Sequence, residues 1–212
     1  MAQRYCFKVN KDKSSKIMVD EELIEFKFIN GLAKSQKVKC ALSLHKSINE
    51  LHKDAKILEC STRSTVDLGL KLSGFNLMID GHPFENFIQA SKVFEDNVQY
   101  ENLLNEPSNV ASSFIHNLDK ELIGFRYKNI FYPLEPVTLF YNYFYIKSMM
   151  ESDINLDELM NYDIFTDIEF NHHNPRFINC QARAVAIYVS LRYKGLLDEA
   201  MKDIESFKKI VY

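Results

Sequence analysis

KLSGFNLMIDGHPFENFIQASKVF, residues 71–94, is the stretch on which the rest of the chain is organised. It starts as a strand or loop carrying Ser73 and Asn76, turns at Asp80-Gly81-His82-Pro83, and predicts a helix from about Phe84. On that helix Glu85, Gln89 and Lys92 stand at i, i+4 and i+7, within roughly 60° of one another, so they form a narrow polar stripe. Phe84, Phe87, Ile88, Ser91 and Phe94 fall on the opposite flank and are expected to face the core. Such a stripe, only partly wet, can carry chemistry. Desolvation lowers the pKa of a lysine, only the neutral amine is a nucleophile, and a nearby carboxylate moves protons. On spacing alone the commoner meaning is a surface helix, although seven residues rise roughly 10 Å, too far for the usual i, i+4 ion pair.

The chain has 212 residues, 46% hydrophobic and 26% charged, with six glycines and five prolines. That is a globular composition, enough for one buried core spanning 1–212. The expected class is α+β: a helix-rich single domain with a small β-sheet. The net charge of -3 argues against a protein that holds nucleic acid mainly through phosphates. Residues 1–71 nevertheless hold 14 Lys and Arg against 9 Asp and Glu, a modest basic excess that can guide an anionic substrate. No signal peptide or membrane-length apolar run is visible. The four cysteines, at 6, 40, 60 and 180, are scattered without CxxC spacing, as expected of buried thiols in a reducing cytoplasm. His172-His173 invite a metal reading, but adjacent histidines diverge and no partner has ligand spacing, so no metal is expected.

Elsewhere the pattern predicts strands near 4–9, over Leu23–Ile29 and over Lys56–Cys60, and a helix over Ser35–Leu51 with Val38, Leu42, Leu44, His45 and Ile48 inward. Glu95–Asn117 is irregularly helical around Pro107, and Leu122–Phe131 alternates as a strand or hairpin. VTLFYNYFYIKSMM predicts a buried helix, and a short helix follows over Asp153–Tyr162. Asp167 and Glu169 would share a face of a strand. A helix runs from Asn179 to Tyr193, and a last amphipathic helix covers Leu196–Ile210.

The organising stretch resembles the signature of the NADAR, or YbiA-like, superfamily: an LS-x-F segment, then a Glu-led helix with Gln and Lys following. Further blocks resemble the branch of NADAR antitoxins paired with DarT-type toxins. They are EFKFINGLAKSQKVKCALSLH from Glu25, ILECSTRS from Ile57, YPLEPVTLFYNYFYI from Tyr132, and FTDIEFN with INCQARAVAIYVSL between Phe165 and Leu191. The chain departs from the family at Asn142-Tyr143, where an Asp-Trp pair is usual, and at Ile88, where Phe is usual.

The resemblance implies a YbiA-like fold and removal of ADP-ribose from guanine in single-stranded DNA, reversing a DarT-type toxin, either as a paired antitoxin or as a phage-borne factor. It implies no cofactor and no membrane. ADP-ribosylated DNA and a DarT-type toxin are the implied partners, and ADP-ribose the product. Glu85 and Lys92 match the family's catalytic pair, as acid/base and Schiff-base nucleophile. Ser73, Asn76 and Gln89 are candidates for the ribose hydroxyls, and Arg63, Lys71 and Arg183 for the pyrophosphate. Tyr141, Tyr143 or Tyr145 is a candidate to stack on a base, and Ser61, Asp167, Asn179 and Gln181 complete the expected ADP-ribose site. Two other functions stay open: a non-catalytic reader or toxin-blocking antitoxin, and an N-glycosidase acting on a riboflavin-pathway metabolite.

Overall fold

A computed structural model describes residues 1–31, 33–170 and 180–212. Strand β1 (Ala2–Val9) pairs antiparallel with β2 (Val19–Phe26), after which α1 (Lys34–Leu51) leads to β3 (Ile57–Glu59). Then come α2 (Asp67–Lys71), the short strands β4 (Met78–Ile79) and β5 (His82–Pro83), α3 (Phe84–Ser91) and β6 (Lys92–Phe94). A 3-10 turn at Glu101–Asn105 precedes α4 (Ser108–His116), β7 (Leu122–Tyr127), β8 (Ile130–Pro133) and α5 (Leu139–Met150). A second 3-10 turn, Leu156–Asn161, leads to β9 (Ile164–Thr166), and α6 (Gln181–Lys194), α7 (Leu197–Ala200) and α8 (Ile204–Val211) close the chain. The class is α+β, as expected. Among the described residues no helix is long and apolar enough to cross a membrane, and the four cysteines are free and buried.

The main sheet has the order β2-β1-β9-β3, with β3 and β9 parallel. The inner strand β9 is buried throughout because helices cover both of its faces, whereas the edge strand β2 turns Asp20, Glu21 and Glu25 to solvent. Cys6, Ile24 and Ile164 pack with Cys40, Ala41, Leu44 and Ile48 of α1. Phe7, Leu58 and Phe165 turn the other way, into the larger core with α5 and α6. In α1 Leu42 is half exposed, whereas Cys40 and Ala41 are buried. The inward stripe is therefore rotated from the one expected.

The turn inside the organising stretch is a two-residue hairpin loop: Asp80 and Gly81 have φ of 48° and 81°. Asp-Gly suits this because both positions must be left-handed in a turn that follows the strand twist. A Cβ on Gly81 meets nothing within 4 Å, so Gly81→Ala reports backbone strain alone. It is expected to cost about 1 kcal/mol and lower the Tm by ~2–4 °C in a thermal melt.

The closing helix is two helices, not one. The Asp203 carboxylate accepts the Ser206 N–H at 2.7 Å, capping α8 and separating it from α7. The 7-residue stripe of α3 also ends early. Lys92 is extended, with φ −64° and ψ 135°, because β6 pairs with β7, placing Lys92 opposite Phe125. Gln99 Nε2 takes the Ala90 carbonyl at 2.9 Å, an acceptor that a continuing helix would have used itself.

Candidate active site

Helix α3 enters the core as a buried element, since Phe84, Phe87, Ile88 and Ser91 are buried as expected, and Phe94 is buried too, though on β6 and not on the helix. Its first N–H groups, which a helix leaves free, are taken by the preceding loop: Phe84 N–H donates to Leu77 O and Glu85 N–H to Gly74 O, both at 2.9 Å. Glu85 thus sits in the first turn, where a carboxylate is favoured by the helix dipole.

Gln89 connects the two expected catalytic residues. Its amide Nε2 donates to Glu85 Oε1 and its Oε1 accepts from Lys92 Nζ, each at 2.8 Å. Lys92 reaches back because the chain leaves the helix after Ser91, not because it lies on the helical stripe. The ammonium therefore has a neutral amide as neighbour, not a direct ion pair. Burial pushes its pKa down to about 8, with Glu85 opposing the shift. About a tenth of the amine is then neutral at pH 7.

A second group of polar residues lies at the carboxyl ends of the parallel strands β3 and β9, a place where open sheets commonly bind ligands. Glu59 and Thr166 are register partners, and Asp167 follows directly. Glu59 is buried, accepting Ser61 Oγ–H at 2.5 Å, Ile168 N–H at 2.9 Å and Thr166 Oγ1–H at 2.7 Å. His45 Nε2 lies 2.8 Å from Thr166 Oγ1, and burial lowers its pKa to about 4, keeping it neutral. Burial raises the Glu59 carboxyl well above its usual range, and the Asp167 charge adds to that. Asp167 is raised by burial too, and by Glu169, while bonds from Glu169 N–H and Gln181 oppose the rise.

The two groups meet at Gly74 and Tyr141. Gln181 Oε1 accepts Gly74 N–H at 3.0 Å, and the same Gly74 carbonyl holds the Glu85 N–H. Tyr141 is buried, stacked on Tyr145 and edge-on to Phe84, and its phenol is raised by burial and by the charges of Cys180, Glu85 and Asp167. The fold thus brings together Glu85, Gln89, Lys92, Tyr141, Asp167 and Gln181, with the buried Ser61 bound to Glu59.

Other expected site residues have partners of their own. Lys71 pairs with Asp67 at 2.7 Å on the exposed side of α2. Asn76 Nδ2 donates to Leu70 O, and the buried Ser73 hydroxyl accepts Phe75 N–H at 3.4 Å. Arg63 pairs with Glu169, and Arg183 with Glu21 at 2.7 Å. Tyr143 packs on Phe144 and Phe207, and the Tyr145 hydroxyl is taken by Leu72 O. Asn142 Nδ2 meets the Tyr212 hydroxyl at 2.8 Å, so the departure at 142 touches the chain's last residue. Asn179 and the His172-His173 pair lie outside the described residues. Asp167 and Glu169 follow β9 instead of sharing a strand face: Asp167 is buried and Glu169 exposed. Two surface recesses, Asn109–Leu118 and that around Lys56 and Tyr162, are lined by none of these residues.

Glu59, Thr166 and His45 as a polar set escaped the sequence. The available signal was a carboxylate inside the short apolar run ILEC, but its meaning depends on a partner strand 107 residues away.

Comparison with curated proteins finds no match. A family model described as DarT1-associated NADAR antitoxin matches residues 2–212, nearly the entire chain, and the protein therefore belongs to the DarT1-associated NADAR antitoxin family.

Proposed function

We propose that the protein removes ADP-ribose from guanine bases of single-stranded DNA and thereby reverses a DarT-type toxin. The observation that carries this reading is the Glu85–Gln89–Lys92 chain, which holds a desolvated amine one amide away from a carboxyl group. Family membership supports the antitoxin role and the toxin as partner.

In the proposed reaction neutral Lys92 attacks C1 of the distal ribose, forming a C–N bond as the bond to the guanine nitrogen breaks. Glu85, as acid, gives that nitrogen its proton, and unmodified guanine leaves. The glycosyl-lysine opens to an imine, the ring oxygen taking a proton to become a hydroxyl. Water, deprotonated by Glu85, adds to the imine carbon, and collapse expels the lysine amine and releases ADP-ribose. Gln89 keeps both groups in place, and Tyr141, Asp167 and Gln181 stand where they can order the ribose. Ser73 and Asn76 are further candidates for the ribose hydroxyls, Ser61 for another part of ADP-ribose, and Arg63 would offer a guanidinium to phosphate.

The test is release of ADP-ribose from a guanine-ADP-ribosylated single-stranded oligonucleotide, with borohydride present to trap an imine. Wild type is expected to release ADP-ribose and to be trapped at Lys92, whereas Glu85→Ala loses release by ~10²–10⁴-fold. No release by folded wild type would sink the reading and leave a role in binding modified DNA or the toxin. Release from free nucleotides in place of DNA would redirect it to metabolite hydrolysis.

A further inference from the structure

Glu169 stands just outside the site, its N–H donating to Asp167 Oδ1 at 3.1 Å. Three donors from two elements converge on its carboxylate: Lys37 Nζ of α1 at 3.7 Å, and from the loop after β3, Thr62 Oγ1 at 3.5 Å and Arg63 Nη2 at 3.1 Å. Two of the three contacts are longer than a good hydrogen bond, so the two carboxylate oxygens underfill the space between the donors. Arg63 is also only half used. A guanidinium binds an oxyanion best through two parallel N–H groups, yet Arg63 Nε is buried with no partner among the described residues.

We infer that Lys37, Thr62 and Arg63 form a phosphate site that the Glu169 carboxylate occupies in the free protein and leaves when substrate binds. A phosphate presents more oxygens at wider spacing than a carboxylate. It satisfies the Arg63 fork and brings Lys37 and Thr62 to full hydrogen bonds at once. Glu169 is an exposed residue, so swinging its carboxylate out into water costs little, because water screens and replaces an exposed ion pair. The occupied site also keeps other anions weakly bound. This rests on the proposed substrate, whose phosphates come from two sources: the pyrophosphate of ADP-ribose and the DNA backbone beside the modified guanine.

Equilibrium binding tests it without turnover, so it stands apart from whether the protein hydrolyses anything. Wild type, Glu169→Gln and Glu169→Ala are titrated with ADP-ribose and, separately, with an unmodified single-stranded oligonucleotide. Both variants are expected to bind one of the two ~3–10-fold more tightly than wild type, and adding Arg63→Gln is expected to cancel the gain. Tighter ADP-ribose assigns the site to the pyrophosphate. Tighter oligonucleotide, with a salt slope reduced by about 0.7 on Arg63→Gln, assigns it to the backbone. If neither ligand binds more tightly to the folded variants, or if the gain survives loss of Arg63, Glu169 is only a surface ion-pair partner and the inference is overturned.

Discussion

Lys92→Ala is expected to lower ADP-ribose release by ~10³-fold or more and to abolish borohydride trapping, while circular dichroism and melting stay close to wild type. The argument is local. Among the described residues Nζ makes one hydrogen bond, to Gln89 Oε1, and no ion pair, so its removal leaves a single amide oxygen to be met by water. The proposed chemistry, in contrast, loses its nucleophile. The same residue sets the pH profile. Because burial holds its pKa near 8, below the ordinary lysine value of 10.5, the reactive neutral form grows as pH rises. Single-turnover release is therefore expected to increase about tenfold per pH unit below 7 and to level off above about 8. A flat profile between pH 6 and 9, or full activity in Lys92→Ala, would remove Lys92 from the reaction. Lys92→Arg keeps the charge but stays protonated, so it separates the need for a nucleophile from the need for a cation.

Gln89 bridges Glu85 and Lys92 across their i, i+7 spacing. Glu85 to Gln89 is one helical step of four residues, which the sequence displays openly. The second step, Gln89 to Lys92, is three residues, but it is closed by a backbone that has already turned into β6. Periodicity extrapolated the helix past Ser91 as far as Phe94, since the pairing of Lys92 with Phe125 in β6 is a tertiary event invisible to a local pattern. The buried flank was legible because Phe84, Phe87 and Ile88 repeat at helical spacing, whereas Phe94 is buried from β6; the hairpin was legible because Asp80-Gly81 has few other uses. The rotated stripe of α1 was not. Cys40 and Ala41 are weak hydrophobic signals, and Leu42, the stronger one, points to solvent. The pyrophosphate candidates divided for a similar reason. A sequence displays Arg63, Lys71 and Arg183 as equal cations, and only the fold places Lys71 against Asp67 and Arg183 against Glu21.

Glu59→Ala is expected to destabilise the fold by ~2–4 kcal/mol, seen as a lower urea midpoint with an unchanged slope. The Glu59 carboxyl accepts from Ser61, Thr166 and Ile168, and all four residues are buried, so truncation leaves three donors without an acceptor and a cavity beside Leu58 and Cys60. Glu59→Gln is expected to cost ~1 kcal/mol or less, because its carbonyl serves Ser61 and Ile168 and its amide can donate to Thr166 Oγ1. The pair also sets how stability varies with pH. The folded protein holds the Glu59 proton above the ordinary value of 4.5, so between that pH and its raised folded pKa the native state binds more protons than the unfolded chain. The stabilisation is complete below about pH 4.5 and fades as pH rises through the folded value. Wild-type stability should therefore decline from mildly acidic to mildly alkaline pH, and Glu59→Gln should flatten that slope while keeping the part due to Asp167, whose shift has the same sign. An unchanged slope in Glu59→Gln would mean that Asp167 alone holds the proton, with Glu59 ionised and stabilised by its three donors. In that case the acid next to Gln181 and Tyr141, and not the one buried behind it, is the group that carries the proton of the pair.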